Sequence, residues 1–413
     1  MKKVKFFFPD SHDYVDPSFD FLKEQGNEHR IRQRDDVYPH ELMADDPYDG
    51  MLVSKAIVDG TEKGSSKYSI AQRQRFLRQG ARKFLRLPAR MGLMGDCGAF
   101  SYVSEYEPPY SVEEVAEFYE RSGFDYGISV DHIIFQFETE NVKAKKVTGD
   151  ELVECKRRQQ LTLDLARDFL EVSQHCGFTP LGVAHGWNPT TMAESVAALQ
   201  KMGYKRVTLG GMVPLKTEDI FRALEAIDPI RSSSTEMHLL GVSRVANAEK
   251  FGDYGVSSFD TTSPLMQAFK DAKNNYHLKD GSAYSAIRVP QVDGNPALKR
   301  AIQRGAVDQD KAKKLERESL KVLRAFDRGD ETLEATLNVL SEYECLIDPS
   351  LKKSYISRYK DILEASPWKT CSCSVCSTVG IEVAIFRGAE RNRRRGFHNI
   401  YVLHERLKSA FVK

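Results

Sequence analysis

Between residues 91 and 263, short apolar runs alternate with longer stretches whose apolar positions recur at helical spacing. The runs at Leu93–Met94, Tyr126–Val130, Leu181–Ala184, Arg206–Leu209, His238–Val242 and Val256–Phe259 predict strands. The amphipathic stretches between them predict helices at about Val112–Ser122, Leu152–Cys176, Thr190–Met202, Thr217–Ile227 and Val245–Phe251. Strand and helix in strict alternation argue for a parallel sheet. Val4 to Phe8 and Met51 to Val58 read as two further strands, so the count reaches about eight. That number favours an α/β fold of the TIM type, a closed (β/α)8 barrel, over an open sheet.

Nearly every predicted strand ends in something polar or small: Asp96, Asp131, His185-Gly186, Gly210-Gly211, Gly241 and Asp260. The C-terminal mouth of a parallel barrel is where catalytic groups sit. Asp96 and Asp260 are the candidate catalytic pair. A carboxylate can attack an anomeric carbon and later leave it, which splits a glycosyl transfer into two displacements, while a second carboxylate moves protons. Each Asp could instead cap the next helix. Asp131 could accept hydrogen bonds from a guanine-like N1–H and exocyclic amine, or be an N-cap or a paired core carboxylate. Gly210-Gly211 lets backbone approach a flat ligand, or makes a tight turn. His185 is a donor or acceptor at a pocket wall, or a satisfied core histidine. Phe100 and Leu240 could sandwich a base, or belong to the core.

After residue 265 the pattern changes. Asp293-Gly294-Asn295-Pro296 is a cluster of turn formers. Lys299 to Arg328 then reads as a long, highly charged helical stretch, followed by helices at Glu331–Tyr343 and Leu351–Leu363. The expected organisation is a catalytic barrel over 1–265, an all-helical insertion over 266–367, and a C-terminal subdomain over 368–413 whose last helix covers the barrel.

The 413 residues can bury a large core, with 41% apolar content and a mean hydropathy of −0.46. A net charge of +1 gives no nucleic-acid signal for the chain as a whole, but Lys and Arg are dense in 299–324 and 387–395. Gln72 to Leu87 is also basic, as a solvated helix face or a phosphate-contacting surface. No apolar run approaches the ~20 residues of a membrane span, and the N-terminal run stops at Pro9-Asp10, too early for a signal peptide. Of seven cysteines, four are scattered and three form Cys371-x-Cys373-x-x-Cys376. An odd count with such a cluster argues for a reducing, cytoplasmic setting and a metal site. Three thiolates and a histidine, His398 or His404, suit a closed, structural zinc site with no catalytic position.

Taken in order, these motifs resemble the tRNA-guanine transglycosylase superfamily. Gly95-Asp96-Cys97-Gly98-Ala99-Phe100 looks like its Asp-Ser-Gly-Gly-aromatic motif, and Val130-Asp131 like its base-reading Asp. Gly182-Val183-Ala184-His185-Gly186 stands where the family has Gly-Ile-Val-Gln-Gly. Leu209-Gly210-Gly211 resembles Ile-Gly-Gly, Leu239-Leu240-Gly241-Val242 resembles Leu-Met-Gly-Val, and Phe259-Asp260 with the following Pro resembles the nucleophile segment. Cys371, Cys373, Cys376 and His398-Asn399 match the zinc site, which selects His398. The resemblance covers about 90–265 and 368–413. His185 for Gln, Cys97 for Ser and Ala99 for Gly are departures, as is the long segment from Asp260 to Cys371. With Phe7 to Pro17, that segment makes the chain most similar to the DpdA branch, implicated in placing 7-deazaguanines into DNA.

The resemblance implies Asp260 as nucleophile and Asp96 as general acid/base. It implies a base held by Phe100, Asp131, His185, Gly210, Gly211, Leu240 and Gly241. It further implies one structural zinc and a free 7-deazaguanine, such as 7-cyano-7-deazaguanine (preQ0), as co-substrate; whether accessory proteins open or remodel the duplex is left open by the sequence. Arg387, Arg391, Arg393, Arg394 and Arg395 would contact phosphates. The alternatives are a tRNA-directed enzyme, a non-catalytic zinc-stabilised nucleic-acid binder, and a barrel hydrolase acting on a nucleoside.

Overall fold

Eight parallel strands close on themselves in chain order, with the last paired to the first. They are β1 (Lys5–Pro9), β2 (Gly50–Ser54), β3 (Gly92–Asp96), β4 (Tyr126–Ile128), β5 (Thr179–Ala184), β6 (Arg206–Leu209), β7 (Glu236–Leu239) and β8 (Val256–Asp260). The computed structural model describes residues 3–61, 66–138, 146–348 and 354–411. The TIM-type barrel expected from the alternating pattern is therefore present.

Period-two alternation sends Phe7, Leu52, Met94, Ile128, Leu181 and Val183 into the barrel, where they form one apolar cluster with Tyr126 and Leu240 at its margin. The opposite strand faces meet the helices. Phe6 stacks on Phe259 between neighbouring strands, ring centroids 5.4 Å apart. Some of the surrounding helices begin where the sequence provides a side-chain cap. Ser111 accepts from Glu114 N–H and opens Val112–Ser122. Asn188 accepts from Thr191 N–H, with Pro189 in the first turn, and opens Pro189–Met202.

β2 is shorter than its apolar run suggests. The chain turns helical at Lys55–Asp59, and Lys55 pairs with Asp59 one turn on. The basic stretch from Lys299 is also divided. Helices Pro296–Gln303 and Gln309–Arg328 are separated at Gly305 (φ +71°), and Asp308 caps the second by accepting from Lys311 N–H at 2.7 Å. Residues 351–353 of the expected Leu351–Leu363 helix lie outside the described residues, and the helix described there is Ile356–Ala365.

The chain divides into two compact units. One comprises 1–12, 48–262 and 407–413, and contains the barrel. The other comprises 13–47 and 263–406. The expected all-helical insertion over 266–367 is only partly helical. Residues 271–295 carry no helix and hold three two-residue strands, Tyr276–His277, Ala283–Tyr284 and Ile287–Arg288. The turn formers there and the Asp271, Asn275 and Asp280 side chains bond the local backbone, and the helices of the described residues resume at Pro296. Among the described residues, no helix is long and apolar enough to cross a membrane.

The barrel interior sets a first expectation. Leu181 is 2% exposed inside the apolar cluster, so Leu181→Ala should lower unfolding free energy by about 2–5 kcal/mol, read by urea denaturation.

Candidate active site and metal centre

The C-terminal ends of β3 to β8 carry the candidate residues, because each strand stops as its last residue reaches the mouth. Asp96 is the final residue of β3 and is half-buried. Burial, followed by the charges of Asp131 and Asp260, pushes its carboxyl up to about 8, against the opposing pull of the Gly98 amide and the Ser54 side chain. At neutral pH this carboxyl keeps its proton, as a carboxylic acid crowded by like charge must.

Asp260 ends β8 and is 7% exposed. Its Oδ1 accepts from Gly241 N–H at 2.9 Å and lies 3.2 Å from His238 Nε2. On the other side of that ring, His238 Nδ1 lies 2.8 Å from Ser258 Oγ. Sequence reading missed His238 and Ser258. Their signal was a polar residue inside each of two adjacent apolar strands.

Asp131 follows β4 and is buried. Its Oδ2 is 2.7 Å from His185 Nε2, and its Oδ1 accepts from the Cys97 thiol at 3.1 Å. Tyr102 donates its hydroxyl towards Cys97 Sγ at 3.0 Å and the Asp131 carbonyl at 3.2 Å. Burial, then the Asp131 and Asp96 charges, raise the Cys97 thiol well above its ordinary range, so it stays a donor. Asp131 is therefore a paired carboxylate within the protein.

His185 is held by its own backbone, whose carbonyl accepts from Ser195 Oγ at 2.6 Å and Gln159 Nε2 at 3.1 Å. Its Nδ1 is buried and has no hydrogen-bond partner among the described residues. The ring lies against Gly210, where a Cβ would come within 2.3 Å of His185 Cε1. The glycine thus makes room for His185. Phe100 stands on the short turn Ala99–Tyr102, 57% exposed and 5.6 Å from the Phe135 ring, while Leu240 is half-buried beside the barrel core.

In the other unit, Cys371, Cys373, Cys376 and His398 converge with all four ligand atoms within 4.8 Å of one another. The three sulfurs lie 3.6, 3.5 and 3.4 Å from His398 Nδ1. Tetrahedral zinc with ordinary Zn–S and Zn–N bonds gives an S···N edge of about 3.5 Å, so the set fits a tetrahedral metal ion. His398 Nε2 lies 2.9 Å from the His277 carbonyl, which fixes Nδ1 as the ligating nitrogen. His404 stands outside the set, with its Nδ1 2.8 Å from the Asp46 carbonyl.

The arginine run expected to meet phosphates is mostly internal to this unit. Arg387 bonds Glu24 at 3.1 Å and Glu316 at 2.7 Å, and Arg391 bonds Glu382 and Glu24 at 2.6 Å each. Arg394 bonds Glu390 and the Asp16 carbonyl at 2.5 Å each. Arg395, 0% exposed, gives its two Nη groups to the Val383, Ile385 and Ala268 carbonyls and to Asn392, its Nε has no partner among the described residues, and burial lowers its guanidinium to about 9. With these charges already matched, the run does not present the row of open guanidinium groups that phosphate contact calls for. Arg393 is the partly exposed member. Lys311, Lys314, Arg317 and Lys321, on the helix Gln309–Arg328, do face solvent.

Asp96 carries a stability consequence. Its native pKa lies above its unfolded value, so the native state binds more protons between the ordinary carboxylate range and about 8, and stability falls as pH rises through that window. Asp96→Asn removes this pH dependence. The variant should melt above the parent at about pH 9, with the gap closing near about pH 4, where both side chains are neutral. Thermal unfolding across that range is the check.

No protein-family model matches the chain. Among curated proteins, it is 54% identical over 409 residues to a protein of Salmonella montevideo named DNA-guanine transglycosylase, across 99% of this chain and 97% of that one. That likeness spans the barrel strands, the carboxylates at their mouths and the Cys/His cluster alike. At this identity over nearly the whole of both chains, the protein belongs to the DNA-guanine transglycosylase family and is a glycosyltransferase-type enzyme.

Proposed function

We propose that the protein replaces guanine in DNA with a free 7-deazaguanine, preQ0 being the candidate base, through an ester between Asp260 and the deoxyribose. The observation that carries this reading is the unequal state of two carboxylates at one mouth. Asp260 is held by two donors on one oxygen, and Asp96 is pushed up to about 8. A nucleophile and a proton donor differ in that way.

In a duplex the target nucleotide must be flipped out of the stack. Phe100 and Leu240 would hold its base between them. Asp131 with His185 would meet the polar edge, the buried His185 Nδ1 having no hydrogen-bond partner among the described residues. Asp260 Oδ2 then attacks C1′ as the C1′–N9 bond breaks. The electron pair passes to N9 of guanine, which takes the Asp96 proton. After guanine leaves, Asp96, now a carboxylate, accepts the N9 proton of the incoming 7-deazaguanine as that nitrogen attacks C1′. The Asp260–C1′ bond breaks and the carboxylate is restored. Two inversions retain the β configuration.

Zinc is the ion we assign to Cys371, Cys373, Cys376 and His398. With four protein ligands it has no open position and supplies structure only. The exposed Lys311, Lys314, Arg317 and Lys321 suit the phosphate backbone.

Two outcomes check this account. In cells that make 7-deazaguanines and any co-encoded proteins, mass spectrometry of nucleosides should find a 7-deazaguanine deoxynucleoside in DNA. The product should be absent with Asp260→Ala. Modified nucleoside in tRNA alone would overturn the DNA assignment. Separately, purified protein should carry about one zinc per chain by elemental analysis, and Cys373→Ser should lose the zinc and melt at lower temperature.

A further inference from the structure

We propose that His238, set in place by Ser258, is a positioning residue that keeps Asp260 a good leaving group, so that the sugar ester turns over and does not accumulate. The inference rests on the covalent reading above.

The geometry begins in the strands. Pairing between β7 and β8 steps from Met237↔Val256 to His238↔Ser258 and passes over Ser257. This irregularity puts Ser258 opposite His238. Such bulges re-aim side chains next to active sites. His238 is 1% exposed, with the Phe7 ring edge-on at 6.2 Å. Its ring is thus confined between Ser258 Oγ and Asp260 Oδ1.

The proton positions follow from the partners. An ionised carboxylate only accepts, so His238 Nε2 carries a hydrogen towards Asp260. In the neutral ring Nδ1 then accepts from the Ser258 hydroxyl, which selects this tautomer. Among the described residues, the two hydrogen bonds to the Asp260 carboxylate, from His238 and from Gly241 N–H, both fall on Oδ1. Oδ2 is left for C1′.

Two donors on Oδ1 act differently on the two states of Asp260. A carboxylate oxygen accepts more strongly than the carbonyl oxygen of an ester. The pair therefore favours free carboxylate over ester. It slows attack on C1′ and speeds departure from it when the incoming base arrives. Gly241 contributes through backbone, so His238 is the donor that substitution can remove.

The test uses the full-length protein and a guanine-containing single-stranded oligodeoxynucleotide. The ratio of ester-linked to free protein is read on a denaturing gel without incoming base. The rate at which the ester is released is read after the 7-deazaguanine is added. His238→Phe keeps a ring of similar size and removes the donor. It should raise the ratio roughly tenfold and slow release by a similar factor. His238→Gln, whose amide N–H can reach the same oxygen, should return both values towards the parent. Ser258→Ala, a milder change that also serves if His238→Phe does not fold, should shift both in the same direction by less.

A residue that only supports the fold would lower ester formation and release together, with no rescue by Gln. That pattern, or an unchanged ratio in folded variants, would overturn the proposal. Asp260→Asn run alongside separates the two levels. An ester that persists in Asp260→Asn, or none in the parent protein, removes the covalent reading and this inference with it. An ester lost in Asp260→Asn but indifferent to His238 and Ser258 removes the inference alone.

Discussion

Asp96, Asp131 and Asp260 stand at the same end of one barrel, and Asp96 feels the charge of both others. Carboxylates so placed cannot all be ionised without compensation. The site meets that constraint in three ways. Asp131 is flanked by His185 and the Cys97 thiol. Asp260 receives Gly241 N–H and His238 on one oxygen. At Asp96, burial and the charges of Asp131 and Asp260 outweigh the Gly98 amide and the Ser54 side chain, and it holds a proton instead. The division of labour in the proposed reaction follows from these arrangements. In that proposal the histidine-backed Asp260 would be the nucleophile, and the carboxyl near 8 would move the proton.

The second unit solves the opposite problem, an excess of buried positive charge. Arg387, Arg391 and Arg394 are matched by Glu24, Glu316, Glu382 and Glu390, and Arg395 by carbonyl oxygens. Removing one member of such a network leaves an uncompensated buried charge, which is more costly than the network is favourable. The Cys/His cluster adds a local constraint of the same kind. Its histidine is oriented by the His277 carbonyl and covered by the Tyr276 ring at 4.2 Å.

Much of this was legible in the sequence, for reasons that are local. Alternation and length mark the strands, and helices Val112–Ser122 and Thr217–Ile227 have the bounds their patterns predict. Asp96 and Asp260 were visible because a carboxylate closes a short apolar run. The Cys-x-Cys-x-x-Cys spacing needs no fold to be read. What stayed hidden depends on partners distant in sequence. Residues 387–395 look like a phosphate-contacting run until Glu24 and Glu316 are brought to them. Gly210 looks like a ligand platform until His185 occupies the space beside it. The contact of His238 with Asp260 requires strand pairing that passes over Ser257, which no periodicity reveals.

The most direct test of the account is the proton on Asp96. With aspartate side-chain carboxyls labelled with carbon-13, the resonance that disappears in Asp96→Asn should titrate near about 8, well above the ordinary aspartate range. Titration of that resonance within the ordinary carboxylate range would contradict the account, because Asp96 would then be a carboxylate at neutral pH with no proton to give to the departing guanine.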